Sequence, residues 1–161
     1  MTELLARQKD ALESLLELSG RERLAIISNE MGKLEEIVSL EFKELSRLGA
    51  IEKKRIALHP AIAKELGLSE QEVSVSAIAR NAQPDERETI QKLQTELTEL
   101  IASHTKLNME NRELIKTHME YSEAILDLLV DSEDPLNNFY GMDGKAAPEK
   151  KKTTGFFDGK A

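Results

Sequence analysis

The sequence predicts an all-α protein: an antiparallel helical bundle or coiled coil of three long helices, with a short connecting helix and a disordered C-terminal tail. Three observations carry that expectation. Hydrophobic residues make up 40% of the 161 residues and charged residues 32%, but aromatics only 4%, a balance that favours amphipathic helices over sheet. Apolar residues recur at helical spacing as far as about Asp131. Beyond that point the period vanishes and Gly, Lys and Thr dominate. The expected organisation is a helical body over residues 1–131 and a tail over residues 132–161.

Each element has its own reason. From Thr2 to Ser28, Leu5, Leu12, Leu15, Leu16, Leu18 and Ile26 fall mostly on one helical face. Asn29 and Gly32 mark a turn or a soft point, so the first two helices are either separate or one bent rod. A second helix runs from Met31 to about Leu58, with a stripe at Leu34, Ile37, Val38, Phe42, Leu45, Leu48 and Ile56. Pro60 ends it near Leu58 or His59, because the residue before a proline disfavours helix. Between Ala61 and Gln83 a loop with one short helix is expected. Ser69 and Glu72 have the spacing of a capping box, which would start that helix, while Val73 and Val75 pull towards strand.

The last helix is the best specified. Pro84, Asp85 and Glu86 suit a helix start, since proline is tolerated in the first turn and acids sit well at the positive end of the dipole. From there one heptad seam runs through Ile90, Leu97, His104, Asn111, His118 and Ile125. The other runs through Leu93, Leu100, Leu107, Leu114, Tyr121 and Leu128, with Ile101, Ile115 and Leu129 widening the stripe. Strict seven-residue spacing predicts coiled-coil packing. His104, Asn111 and His118 make the middle of the first seam polar. Such layers fix register or partner. Either they set antiparallel pairing inside the monomer, or this face accepts a helix from a client.

Charge and composition exclude several functions. The net charge of -8 repels phosphate backbones and anionic membrane surfaces. Lys150 to Lys152 is too short a run to signal nucleic acid. The absence of cysteine rules out disulfides and thiolate metal sites. No apolar run approaches the roughly 20 residues of a membrane span, and Glu3, Arg7, Lys9 and Asp10 interrupt the N-terminus where a signal peptide would be apolar. A cytoplasmic protein without membrane insertion is expected. His104 and His118 lie roughly 21 Å apart along one helix at 1.5 Å per residue, so they cannot share an ion. No phosphate-binding loop and no nucleophile with its base is present. No metal, no cofactor and no enzymatic activity is expected.

The tail is richer than a solvated tail needs to be. It carries Phe139, Tyr140, Phe156 and Phe157, four of the six aromatics in the chain. Each aromatic pair precedes an Asp-Gly-Lys-Ala sequence, Asp143 to Ala146 and Asp158 to Ala161. Aromatic rings are common anchors at binding sites. Glycines let the backbone lie close to a partner, and ordering a free tail costs entropy, so weak, reversible docking is expected.

These residues resemble the FlgN family of flagellar type III export chaperones. The resemblance covers nearly the whole chain. It includes the Leu-rich first helix, a second helix with Leu45 and Leu48 followed by Lys53-Lys54-Arg55, and a long last helix with Asn111-Arg112 and Leu114. Its most specific part is Tyr140-Gly141-Met142-Asp143-Gly144, similar to the Y-G-x-D-G motif of that family. The resemblance implies binding of the C-terminal helical segments of hook-associated junction proteins (FlgK and FlgL types). It also implies delivery of these clients to the export gate protein FlhA. Tyr140 is then the gate-docking residue, with Phe139, Gly141, Asp143 and Gly144 around it; Phe156 and Phe157 lie outside the pattern. Helix-in-groove packing makes Leu107, Leu114, Tyr121, Ile125 and Leu128 the candidate client face, although at any single position the pattern favours the core. The competing readings are a coiled-coil scaffold that self-associates through the last helix, and a regulatory adaptor of the anti-sigma type.

Overall fold

In a computed structural model, residues 1–131 are described. The order is α1 (Thr2–Ile27), α2 (Met31–Ala57), α3 (His59–Leu66), α4 (Val75–Asn81) and α5 (Pro84–Asp131). The expected tail, residues 132–161, lies outside the described residues. The chain divides into two units, residues 1–119 and residues 120–161; α5 supplies helix to both. The all-α class is as the sequence predicts.

In the first unit α1 and α2 form an antiparallel hairpin. Leu18, Ala25 and Ile37 share a buried cluster near its tip, with Leu34 and Leu40 packed against them. Further down, the Gln8 amide donates to Glu52 at 2.7 Å. The two helices are separate because the chain reverses at Asn29, whose φ of 53° is left-handed. The Asn29 N–H bonds to Ile26 O at 3.1 Å and the Glu30 N–H to Ala25 O at 2.9 Å. That bonding pair satisfies carbonyls at the end of α1 and is the usual way a left-handed residue stops a helix. Gly32, the other candidate for the turn, lies inside α2.

α5 runs parallel to α1. Leu5 meets Ile90 in a buried cluster completed by Ala79. Lys9 pairs with Glu96 at 2.9 Å, and Ser19 lies 3.0 Å from Asn108. Of the stripe expected on α1, Leu5, Leu12, Leu15, Leu18 and Ile26 are buried and Leu16 is half-buried. Burying a leucine contributes about 1.5–3 kcal/mol, so this face is the main source of cohesion in the unit. The stripe expected on α2 divides. Ile37 is buried, Leu34 and Leu48 are half-buried, and Val38, Phe42, Leu45 and Ile56 are exposed.

The connection between α2 and α5 holds two short helices where the sequence predicts a loop with one. Pro60 falls in the first turn of α3, where no intrahelical N–H is needed, so it starts a helix as readily as it ends one. Gly67, at φ 66°, closes α3, and the Leu68 N–H reaches back to Ala63 O at 2.9 Å. The Ser69–Glu72 pair bonds, but the Ser69 hydroxyl donates to the Glu72 carboxylate at 2.7 Å. The same carboxylate accepts from the Ser69 N–H at 2.9 Å, and the Glu72 N–H bonds to Ser69 O at 3.0 Å, so the pair closes a turn and starts no helix there. The helix begins one turn later at Ser74, whose hydroxyl accepts from the Ala77 N–H at 3.1 Å. Val73 is buried just before that cap, the position of a hydrophobic staple. Arg87 then ties the end of α4 to the start of α5 by donating to the carbonyls of Ala79, Arg80 and Ala82.

The two left-handed positions make a paired prediction. Gly67→Ala forces a Cβ into a left-handed conformation and should lower unfolding free energy by about 1–2 kcal/mol. Asn29→Gly should leave stability within a few tenths of a kcal/mol or raise it slightly. Urea unfolding followed by circular dichroism reads both; equal midpoints for the two variants would contradict the assignment of these turns.

Candidate functional site

Where α1, α2 and α5 meet, the layer is polar. Ser19 is fully buried on α1. Its hydroxyl lies 3.1 Å from the Glu41 carboxylate of α2 and 3.0 Å from the Asn108 side-chain oxygen of α5. A hydroxyl has one proton, so it donates to one of the two at a time. Asn111, 2% exposed, donates to Ser19 O at 2.8 Å and to the Glu22 carboxylate at 2.7 Å. Its own side-chain oxygen is buried without a hydrogen-bond partner. Arg23 pairs with Glu110 on the flank. Of the polar seam read from the sequence, Asn111 is therefore engaged inside the monomer, with a helix that runs parallel to its own.

Burial dominates the electrostatics of this layer. It pushes the Glu41 carboxyl above its usual range, helped by the negative charge of Glu22 and opposed by the hydrogen bond from Ser19. Burial also pulls the half-buried His104 imidazole below its usual range, against the charge of Glu22. The Asn108 amide nitrogen lies 3.3 Å from a ring nitrogen of His104. Removing charge from water explains both shifts.

Beside this layer is a groove of about 740 Å³, lined by Arg23 of α1 and by Ala102, Met109, Glu110 and Leu114 of α5. Leu114, expected in the client face, is half-buried there, and Leu107 is half-buried one heptad earlier. In the second unit the remaining three expected residues are exposed: Tyr121 at 67%, Ile125 at 38% and Leu128 at 70%. Leu126, Leu129 and Val130 are exposed with them, so this end of the helix is apolar nearly all round. The sequence reading missed Leu126 and Val130 because they lie off both heptad seams. Phe139, Tyr140, Gly141, Asp143 and Gly144, the expected gate-docking residues, lie outside the described residues.

Among the described residues no group of three or more His, Asp or Glu side chains is arranged to hold a metal ion. No helix among them is long and apolar enough to cross a membrane.

Opposite shifts at Glu41 and His104 give the layer a signed pH dependence. A histidine with a lowered folded pKa binds fewer protons folded than unfolded, so stability falls as pH drops below about 6.5, the ordinary value. A carboxylate with a raised folded pKa binds more protons folded, so stability falls as pH rises above about 4.5. His104→Gln should therefore flatten the loss of melting temperature between neutral and mildly acidic pH. Glu41→Gln should raise the melting temperature at neutral pH and leave it unchanged in acid. Thermal melts across this pH range test both; a neutral-pH melting temperature lowered by Glu41→Gln would refute the burial argument.

A family pattern covers nearly the whole chain. The model of the FlgN protein family matches residues 1–148. The uncharacterized protein YvyG of Bacillus subtilis (strain 168) is 28% identical over 149 residues, covering 92% of this chain and 89% of that protein. No solved structure matches. The family match takes in all five helices and the Tyr140–Gly144 segment, and on that ground the chain belongs to the FlgN family.

Proposed function

We propose that this protein is a cytoplasmic export chaperone for hook-associated junction proteins. In this reading it binds the C-terminal helical segments of FlgK- and FlgL-type clients, prevents their premature assembly and delivers them to the export gate protein FlhA. Family membership carries the proposal, because it supports a chaperone-like role in flagellar export in the broad sense and is consistent with a non-enzyme. The choice of client and gate adds the resemblance of Tyr140–Gly144 to a docking motif and the exposed apolar residues of α5.

Amphipathic helices bind by laying an apolar face against apolar side chains. Leu107 and Leu114 would contribute from the first unit, with the groove beside Leu114 able to take a side chain. Tyr121, Ile125 and Leu128 would contribute from the second, where they have no burial to lose. Glu110, Glu113, Glu120 and Glu123 stand along the same helix and favour clients with basic flanks. Phe139, Tyr140, Gly141, Asp143 and Gly144 would form the gate-docking segment, with Tyr140 as the ring that inserts.

The test is co-purification of the full chain with the C-terminal segment of each junction protein, followed by sizing. A stoichiometric complex is expected with at least one of them. Leu128→Asp, at a position 70% exposed, should leave the melting temperature unchanged and weaken client binding by roughly tenfold, the effect of about 1.4 kcal/mol. Tyr140→Ala should leave both the fold and client binding intact and abolish capture by the cytoplasmic domain of the gate protein. Failure of either client to bind the folded chain would remove the proposal and favour a self-associating coiled-coil scaffold.

A further inference from the structure

The corner between α2 and α3 is basic in an acidic chain. The twelve residues from Lys53 to Lys64 hold four Lys or Arg and no Asp or Glu, although acids outnumber bases 30 to 22 in the whole chain. Neither the client role nor the gate role uses the Lys53-Lys54-Arg55 run. The corner has an inner and an outer side. Ile51 of α2 and Ala63 of α3 are buried, and the half-buried Arg55 is held by Glu52 at 2.6 Å. Glu52 in turn accepts from Gln8 of α1. By contrast, Lys53, Lys54 and Ala57 of α2 are exposed, as are Pro60, Ala61 and Lys64 of α3. None of the three lysines forms an ion pair among the described residues. The negative end of a helix dipole accounts for Lys54 and Lys64, each in a last turn. It does not account for Lys53.

We propose that the outer side of this corner docks an acidic amphipathic helix of a partner protein.

The occupant follows from charge and size. Lys53 and Ala57 lie one turn apart on α2, and Pro60 and Lys64 one turn apart on α3. Small residues therefore lie between lysines. Small side chains let an incoming helix come close, and lysine stems can cover its apolar stripe while their ammonium groups reach carboxylates at its edges. Ile56 and Leu58, both exposed, add apolar contact beside the strip. From Lys53 to Lys64 the path is roughly 16 Å at 1.5 Å per residue, about three turns of a partner helix. A helix that enters a membrane surface carries Trp, Phe or Leu on its apolar face, where this corner has Ala57, Pro60 and Ala61. A bilayer or a nucleic acid also extends past the corner and meets a chain of net charge -8, which repels it. A short helix does not reach that far. Exposed ion pairs are weak and screened by salt, so the complex is reversible. It uses none of the residues assigned above to the client or the gate.

Fluorescence anisotropy of a labelled synthetic helix titrated with the full chain is the test. The probe is a peptide of about four helical turns, with glutamates flanking a stripe of alanine and leucine. Saturable binding is expected at low salt, with loss as salt is raised. Lys53→Glu and Ala57→Glu should each weaken it by roughly tenfold. Both positions are exposed, so the melting temperature should not change. Lys92→Glu reverses one exposed charge on α5 and should leave binding nearly as it was. Failure of the peptide to bind would overturn the proposal. Equal weakening by Lys92→Glu and Lys53→Glu would overturn it too, because net charge alone would then explain the effect. So would equal binding of a peptide of the same composition with a central proline, which breaks the helix. Tighter binding to phosphatidylserine vesicles than to the peptide would assign the corner to a membrane surface, and the helix site would fall.

Discussion

Asn111 commits both amide hydrogens to α1, one to the Ser19 carbonyl and one to the Glu22 carboxylate. Layers of leucine accept several registers at similar energy, because one turn of α5 displaced along α1 still sets leucine against leucine. The asparagine does not. Displaced by a turn, it would carry a buried amide away from both acceptors, at a cost of about 1–3 kcal/mol for each polar group left unpaired. Register along α1 is therefore set at this layer. From it follow the meeting of Leu5 with Ile90, the Lys9–Glu96 pair and the half-burial of Leu107 and Leu114. The layer is also imperfect. One oxygen of Asn111 has no partner, and Glu41 is crowded by Glu22. Part of the cohesion from the α1 leucines is thus given up for a unique alignment.

That division of labour explains which parts of the fold the sequence made legible. The α1 face could be read because it is the one apolar face of its helix, and spacing alone identifies it. The start of α5 was equally plain, since proline and two acids announce it. On α2 the spacing was misleading. Val38, Phe42 and Leu45 were assigned with Ile37 to a single stripe, yet they are exposed while Ile37 is buried. Periodicity reports that a residue belongs to an apolar face, not which partner covers that face. The stripe on α2 is broader than its contact with α1, so its margin stays exposed. The partners of the polar seam were also beyond reach, because Ser19 and Glu22 are far from Asn111 in sequence and unremarkable in type. Antiparallel pairing within the monomer or a client helix was expected there, and for Asn111 a parallel neighbour, α1, was found.

The connection between α2 and α5 shows a different kind of limit. Pro60 and the Ser69–Glu72 pair were each read for one meaning when the chemistry allows two. Proline stops a helix that precedes it and starts one that follows it. A serine hydroxyl caps a helix only when it accepts from the backbone. At Ser69 it donates to Glu72, and the cap is made at Ser74 instead. Val73 looked like strand because it is β-branched, but beside a cap its value is as an apolar plug, and its burial fits that use. The candidate site was legible in the same partial way. Heptad spacing found Tyr121, Ile125 and Leu128, which are exposed, but it had no means of finding Leu126 and Val130 off the seams.

The large exposed apolar residues are not scattered evenly over the surface, and this bears on how the chain stays in solution. They concentrate on the outer face of α2 and on the last turns of α5. Apolar surface of this kind draws copies together without selectivity. The opposing term is charge: at -8 every copy repels every other, and that repulsion weakens with salt as the screening length shortens. An apolar helix end flanked by glutamates keeps the repulsion between copies and relaxes it for a basic or neutral helix.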